Sequence, residues 1–135
     1  MITENTDIKE QSYNWSNKSI LIADDEPNNI KFIEKSLAPT KIKIFQAENG
    51  AEAVRIFIEN PAIDIILMDI RMPDMDGVEA IKLIRNENRN ITIIAYTAYA
   101  LTMDEMNALN YGCNDYISKP TNPQFLIQKI NEFLK

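Results

Sequence analysis

Short, nearly continuous apolar runs alternate along this chain with segments whose apolar residues recur every three or four positions. The run Ile20-Leu21-Ile22-Ala23 ends abruptly in Asp24-Asp25-Glu26, and similar runs recur from Ile63 to Met68 and from Ile91 to Ala95. Strands without polar alternation are buried on both faces, which implies a parallel sheet. Between them, Ile30, Ile33 and Leu37, then Val54, Phe57 and Ile58, then Val78, Ile81 and Ile84, and finally Leu126, Ile130, Phe133 and Leu134 carry the spacing of amphipathic helices. The stretch from Leu101 to Tyr111 is a weaker, less regular helix, while Lys41 to Phe45 and Tyr116-Ile117 read as short strands. Strand followed by helix, five times over, gives through right-handed crossovers an open α/β sheet covered on both faces. The binding crevice of such a sheet lies at the carboxyl ends of its strands.

The glycines mark junctions: Gly50 ahead of the second helix, Gly77 ahead of the third, and Gly112 after the fourth, where a left-handed helix cap is expected. Residues 1–17 are polar and aperiodic apart from Ile8, Tyr13 and Trp15, and read as a flexible arm or linker. Residues 18–135 form one domain, with no repeat and no second core-forming pattern.

Composition narrows the function. At 135 residues, 45% hydrophobic and 25% charged, the chain is long enough for one buried core. It has no histidine and one cysteine, Cys113, which removes Ser-His-Asp and Cys-His catalysis, a His/Cys zinc site and an internal disulfide. A net charge of −6 argues against direct nucleic-acid binding. No apolar run approaches the roughly 18 residues of a membrane span, and the first residues lack a signal-peptide pattern, so no membrane contact and a cytoplasmic address are expected.

What remains is chemistry at the strand ends. Asp24 and Asp25 close the first strand and Asp69 the third, so adjacency of those strands gathers three carboxylates in one crevice. Two carboxylates about 4 Å apart repel by about 4 kcal/mol at an effective dielectric near 20, so such a cluster needs protonation, solvation or a bound cation. Oxygen donors of this kind suit Mg2+ or another hard divalent cation. Thr97 ends the fourth strand and Lys119, before Pro120, the fifth. A hydroxyl and a cation beside carboxylates suit a transferred phosphoryl group, with Asp69 as the plausible nucleophile.

The runs Ile20-Leu21-Ile22-Ala23-Asp24-Asp25-Glu26-Pro27, Leu67-Met68-Asp69-Ile70-Arg71-Met72-Pro73-Asp74-Met75-Asp76-Gly77, Ala95-Tyr96-Thr97-Ala98 and Tyr116-Ile117-Ser118-Lys119-Pro120 strongly resemble the receiver domain of bacterial two-component response regulators. The resemblance spans about residues 19–135 and includes every strand end. It implies a doubly wound, flavodoxin-like (βα)5 sandwich of three layers, with a parallel sheet in the order 2-1-3-4-5. It also implies that Asp69 is the phosphoacceptor, served by a sensor histidine kinase or a histidine phosphotransfer domain. Asp24, Asp25, Asp69 and the backbone carbonyl of Arg71 would hold Mg2+ (or Mn2+). Thr97 would donate to the phosphoryl group, Lys119 would pair with it, and Ala98 would keep the approach open.

In the same family, Tyr116 sits at the aromatic switch position that follows Thr97, and the face of the fourth helix, fifth strand and fifth helix carries the output, including a homodimer. Arg71 and Tyr99 occupy positions that tune the lifetime of the acyl phosphate, and a long cation with an aromatic ring predicts slow hydrolysis. Several stretches look most like the receivers of hybrid histidine kinases. A haloacid-dehalogenase-type phosphatase would need an Asp-x-Asp-x-Thr run that is absent. A flavodoxin-like cofactor binder would need phosphate donors where the first loop is acidic. The remaining alternative is a receiver-like interaction module that is not phosphorylated. The domain modifies itself, so whether it counts as an enzyme is left open.

Overall fold

The structure, a computed structural model, describes residues 13–72, 74–98 and 101–135, and the backbone alone at Ala108 and Tyr111. Among the described residues, five strands alternate with five helices. They are β1 (Ser19–Ala23), α1 (Pro27–Leu37), β2 (Lys43–Ala47), α2 (Gly50–Glu59), β3 (Ile65–Asp69), α3 (Gly77–Glu87), β4 (Thr92–Thr97), α4 (Met103–Gly112), β5 (Asp115–Ser118) and α5 (Pro123–Leu134). All pairings are parallel and the order is β2-β1-β3-β4-β5, as expected for the flavodoxin-like sandwich. Strands β2, β3 and β4 begin and end one or two residues later than the sequence pattern suggests, whereas β1 and β5 each begin one residue earlier; β3 and β4 run on because Asp69 and Thr97, polar in sequence, still pair within the sheet.

Each sheet face has its own core. Ile20, Ile22, Ile65, Leu67, Ile94 and Ile117 meet Ile30, Ile33 and Leu37 of α1 and Leu126 and Ile130 of α5. The alternate positions Leu21, Ile66, Met68, Ile93 and Ala95 meet Phe57 of α2, Ile81 and Ile84 of α3, and Leu109 of α4. Strand alternation assigns side chains to faces, and helical periodicity supplies the opposing stripe. Four helices start with side-chain caps: Asn49, Asp76, Thr102 and Asn122 each accept the N–H three residues on. Among the described residues, no helix is long and apolar enough to cross a membrane.

Two expectations need correction. Gly112 is not a left-handed cap. It is the last residue of α4, no described glycine has a positive φ, and Cys113 follows at φ −103°. Its role is closeness: a Cβ there would lie 2.5 Å from Ile81 Cγ2, so glycine lets the end of α4 rest on α3. Part of the segment read as an arm is also packed. Trp15 is buried in the α1–α5 core, its backbone N–H donates to the Thr40 carbonyl at 2.7 Å, and its ring stacks on Tyr13.

Candidate functional site

Strand alternation decides which side chains can meet. Ile20 and Ile22 face α1 and α5, as do Ile65 and Leu67, Ile94, and Ile117. Continued by two residues, the same parity brings Asp24, Asp69, Tyr96 and Lys119 to that face at the carboxyl ends of β1, β3, β4 and β5. The register aligns them, with Ala23 opposite Met68, Asp69 opposite Tyr96, and Tyr96 opposite Ile117.

Asp24 is fully buried and Asp69 only 5% exposed, whereas Asp25 is open to solvent. One oxygen from each carboxylate lies within 4.8 Å of the other two. Lys119 Nζ bridges the buried pair, donating to Asp24 Oδ2 at 2.8 Å and to Asp69 Oδ2 at 3.3 Å. Asp24 Oδ1 accepts the N–H of Glu26 at 2.9 Å and the Asn29 amide at 3.4 Å, so the start of α1 orients this carboxylate. Asp69 Oδ1 accepts the N–H of Arg71 at 3.2 Å. Behind it, the N–H of Gly77 donates to the Ile70 carbonyl at 2.9 Å, and a Cβ on Gly77 would lie 2.1 Å from the Asp69 carbonyl oxygen. Only glycine allows α3 to begin directly against the strand end that carries Asp69.

The charges do not cancel. Burial pushes the Asp69 carboxyl up to about 6; Lys119 opposes that shift and the neighbouring Asp24 adds to it. Burial would by itself lower the Lys119 ammonium, but its hydrogen bond to Asp24 and the charges of Asp24 and Asp69 hold it above the ordinary lysine range. The ammonium also lies 4.8 Å from the centroid of the Tyr96 ring. Burial raises the Tyr96 phenol, so it stays neutral.

Over the cluster opens a cleft of about 730 Å³ whose walls include Asp25, Asn29, Phe32, Arg71, Ala98 and Pro120. The donor set is oxygen only, close-packed and solvated on the Asp25 side, which fits a hard divalent cation better than a soft one. Ionised and bridged by a lysine, Asp69 is also placed to act as a nucleophile toward phosphorus.

The remaining sequence-predicted residues divide. Thr97 is buried at the end of β4, and its carbonyl accepts the N–H of Lys119 at 3.0 Å. Ala98 lines the cleft. Arg71 places its backbone N–H on Asp69, while its guanidinium reaches Glu105 in the first turn of α4 at 2.9 Å. Tyr116 lies away from the cluster: it is 40% exposed and lines a separate groove of about 470 Å³ with Leu101, Met106 and Leu109 of the α4 side. Tyr99 lies outside the described residues. Sequence reasoning missed Asn29, Glu105 and Tyr96. For Tyr96 the signal was present, since counting by two along β4 places it beside Asp69.

Comparison with known proteins agrees with this geometry. Residues 20–131 match the profile of the response regulator receiver domain. The chain is 39% identical over 122 residues to hybrid signal transduction histidine kinase I of Dictyostelium discoideum, covering 84% of this chain but 7% of that much longer protein. It is 34% identical to the polar-differentiation response regulator DivK of Brucella anthropi, over 87% of this chain and 96% of that one. Among solved structures it superimposes with a TM-score of 0.77 and 36% identity on the receiver domain of the sensor histidine kinase PA1611 of Pseudomonas aeruginosa, covering 86% and 96% of the two chains. That crystal holds a magnesium ion in its active-site cleft.

Proposed function

The chain belongs to the response regulator receiver domain family, and from that premise we propose that Asp69 accepts a phosphoryl group from a phosphohistidine on a sensor histidine kinase or a histidine phosphotransfer domain. The observation that carries the reading is the cluster itself: three carboxylates within 4.8 Å, two of them bridged by a lysine whose side chain is 12% exposed, beneath a cleft. An Asp69 carboxylate oxygen attacks phosphorus, an O–P bond forms as the N–P bond to the donor imidazole breaks, and that nitrogen leaves to take a proton from solvent. The product is an acyl phosphate on Asp69.

Each neighbour has a part. Lys119 moves from the carboxylates to a phosphoryl oxygen, and Thr97 donates its hydroxyl to another. Ala98 leaves the approach open. Asp24, Asp25, Asp69 and the Arg71 backbone carbonyl would hold Mg2+ (or Mn2+), which when bound neutralises carboxylate and phosphoryl charge. The new charge at Asp69 biases two conformations of Thr97 and Tyr116, read out on the α4–β5–α5 face, where a homodimer can form. Arg71 and Tyr99 slow hydrolysis of the acyl phosphate. The domain works in the cytoplasm and binds no nucleic acid itself, and the hybrid-kinase receivers it resembles supply the fitting context.

Intact-mass analysis after incubation with acetyl phosphate tests the reading. Wild type gains one phosphoryl group only with Mg2+, and Asp69→Ala gains none. A wild type that gains nothing, beside a control receiver that does, makes the domain an interaction module whose acidic cleft binds a cation at most.

A further inference from the structure

Tyr96 is the one member of the convergent quartet to which the reaction assigns no part. The residue is 3% exposed, its backbone pairs with Asp69 on one side and with Ile117 on the other, and Lys119 Nζ stands 4.8 Å from the ring centroid. A tyrosine needed only for apolar volume in the α1–α5 core could be replaced by leucine, which is apolar but shorter, at a cost in packing alone. What leucine lacks is a face of negative electrostatic potential. An ammonium withdrawn from water over such a face is held more strongly than one at an exposed site, and the Lys119 side chain is 12% exposed.

We propose that Tyr96 is a positioning residue for phosphoryl transfer, holding the Lys119 ammonium over the cleft by its ring face. The inference rests on the reading of Asp69 as phosphoacceptor and extends it to a residue to which that reading gives no role. The hold from Asp24 and Asp69 does not outlast the chemistry, because both carboxylates take on other partners when a cation and a phosphoryl group enter. The ring is neutral and carries no ligand role, so its attraction for the Lys119 ammonium is not lost to a cation or a phosphoryl group. It therefore limits the ammonium to a short arc between Asp24 and the phosphoryl oxygen, instead of releasing it into the open cleft. Orientation of this kind acts on the transfer rate, not on whether transfer occurs.

Three variants and two readouts test it. In wild type, the Lys119 Hε protons appear upfield in the NMR spectrum under the ring current of Tyr96; the displacement persists in Tyr96→Phe and vanishes in Tyr96→Leu. With acetyl phosphate and Mg2+, Tyr96→Leu acquires its phosphoryl group roughly tenfold more slowly than wild type, whereas Tyr96→Phe stays within about twofold. In a Lys119→Met background, where transfer is slow already, adding Tyr96→Leu changes the rate by less than about twofold, as residues acting through one another require. Absence of the upfield displacement in wild type overturns the proposal, and so does a Tyr96→Leu effect that persists undiminished without Lys119, since that is the mark of a packing role. A wild type that accepts no phosphoryl group overturns the reading of Asp69 and this inference together, whereas an active wild type with an unaltered Tyr96→Leu rate overturns this inference alone.

Discussion

The two ends of the sheet are built on opposite principles. At the amino ends of the strands, polar groups are closed off in fixed pairs. Arg85 donates to the carbonyls of Gly112, Asn88 and Ile91 and to Asn114 Oδ1, and the same oxygen accepts the N–H of Ile93. Asp64 accepts the N–H of Ser19, and Trp15 closes the α1–α5 core beneath. At the carboxyl ends, two buried carboxylates face one ammonium, and the third carboxylate is left in solvent. The first arrangement lowers the energy of one conformation. The second keeps a charge excess that a cation or an added phosphoryl group can change, which is what a site must do to respond.

The largest effect expected at the amino end is on stability alone. Trp15→Ala removes a buried indole from the core shared by β1, α1 and α5, and truncations of this size cost about 3–5 kcal/mol. Urea denaturation followed by far-ultraviolet circular dichroism should show that loss. Below the transition, the rate of phosphoryl acceptance should equal that of wild type. A slowed reaction in the folded variant would mean the two ends are coupled and the contrast is drawn too sharply.

At the carboxyl end the sign reverses, so that removing a functional group stabilises. The Asp69 carboxyl is pushed up to about 6, chiefly by burial, from an ordinary value of 3.8. A group whose folded pKa lies above its unfolded value binds protons more tightly when folded. The metal-free protein therefore gains stability from this group as pH falls from 7 through 6 toward 4, and loses it as pH rises through that window. Asp69→Asn, at the proposed acceptor, should abolish phosphoryl acceptance yet stabilise the metal-free protein at pH 7 by about 1–2 kcal/mol, and its stability should vary less between pH 4 and 7 than that of wild type. Thermal melts in the presence of a chelator over that range decide it. A destabilised Asp69→Asn would mean that the hydrogen bond to Lys119 outweighs the burial of charge.

The same contrast explains which features the sequence discloses. The carboxyl end was legible because Asp24, Asp25, Asp69, Thr97 and Lys119 each interrupt or follow an apolar run, and a polar residue at a strand end is conspicuous in one dimension. Tyr96 was not, since an aromatic inside Ile93-Ile94-Ala95-Tyr96-Thr97 reads as core until the parity of four strands is compared. Trp15 was hidden for the opposite reason, as an isolated aromatic in a polar stretch whose core is assembled from later elements, up to α5 at the far end of the chain. Gly112 was misread because a glycine near a helix end has two uses, and the contact with Ile81 that selects between them is tertiary.

The smallest effect tests where the carboxyl end stops. Arg71 reaches out from beside Asp69 to Glu105, but both side chains are partly open, 39% and 25% exposed, and an ion pair of that kind contributes about 0–1 kcal/mol. The capping of α4 does not depend on it, since Glu105 also accepts the N–H of Thr102 at 2.9 Å and its own N–H donates to Thr102 Oγ1 at 3.1 Å. Arg71→Ala should therefore shift the urea midpoint by an amount equivalent to less than about 1 kcal/mol, and should leave the amide of residue 105 as protected from hydrogen exchange as in wild type. Loss of that protection would show that the first turn of α4 is held from the loop after β3 and not by its own cap. The charged end of the molecule would then extend one element further than its buried carboxylates.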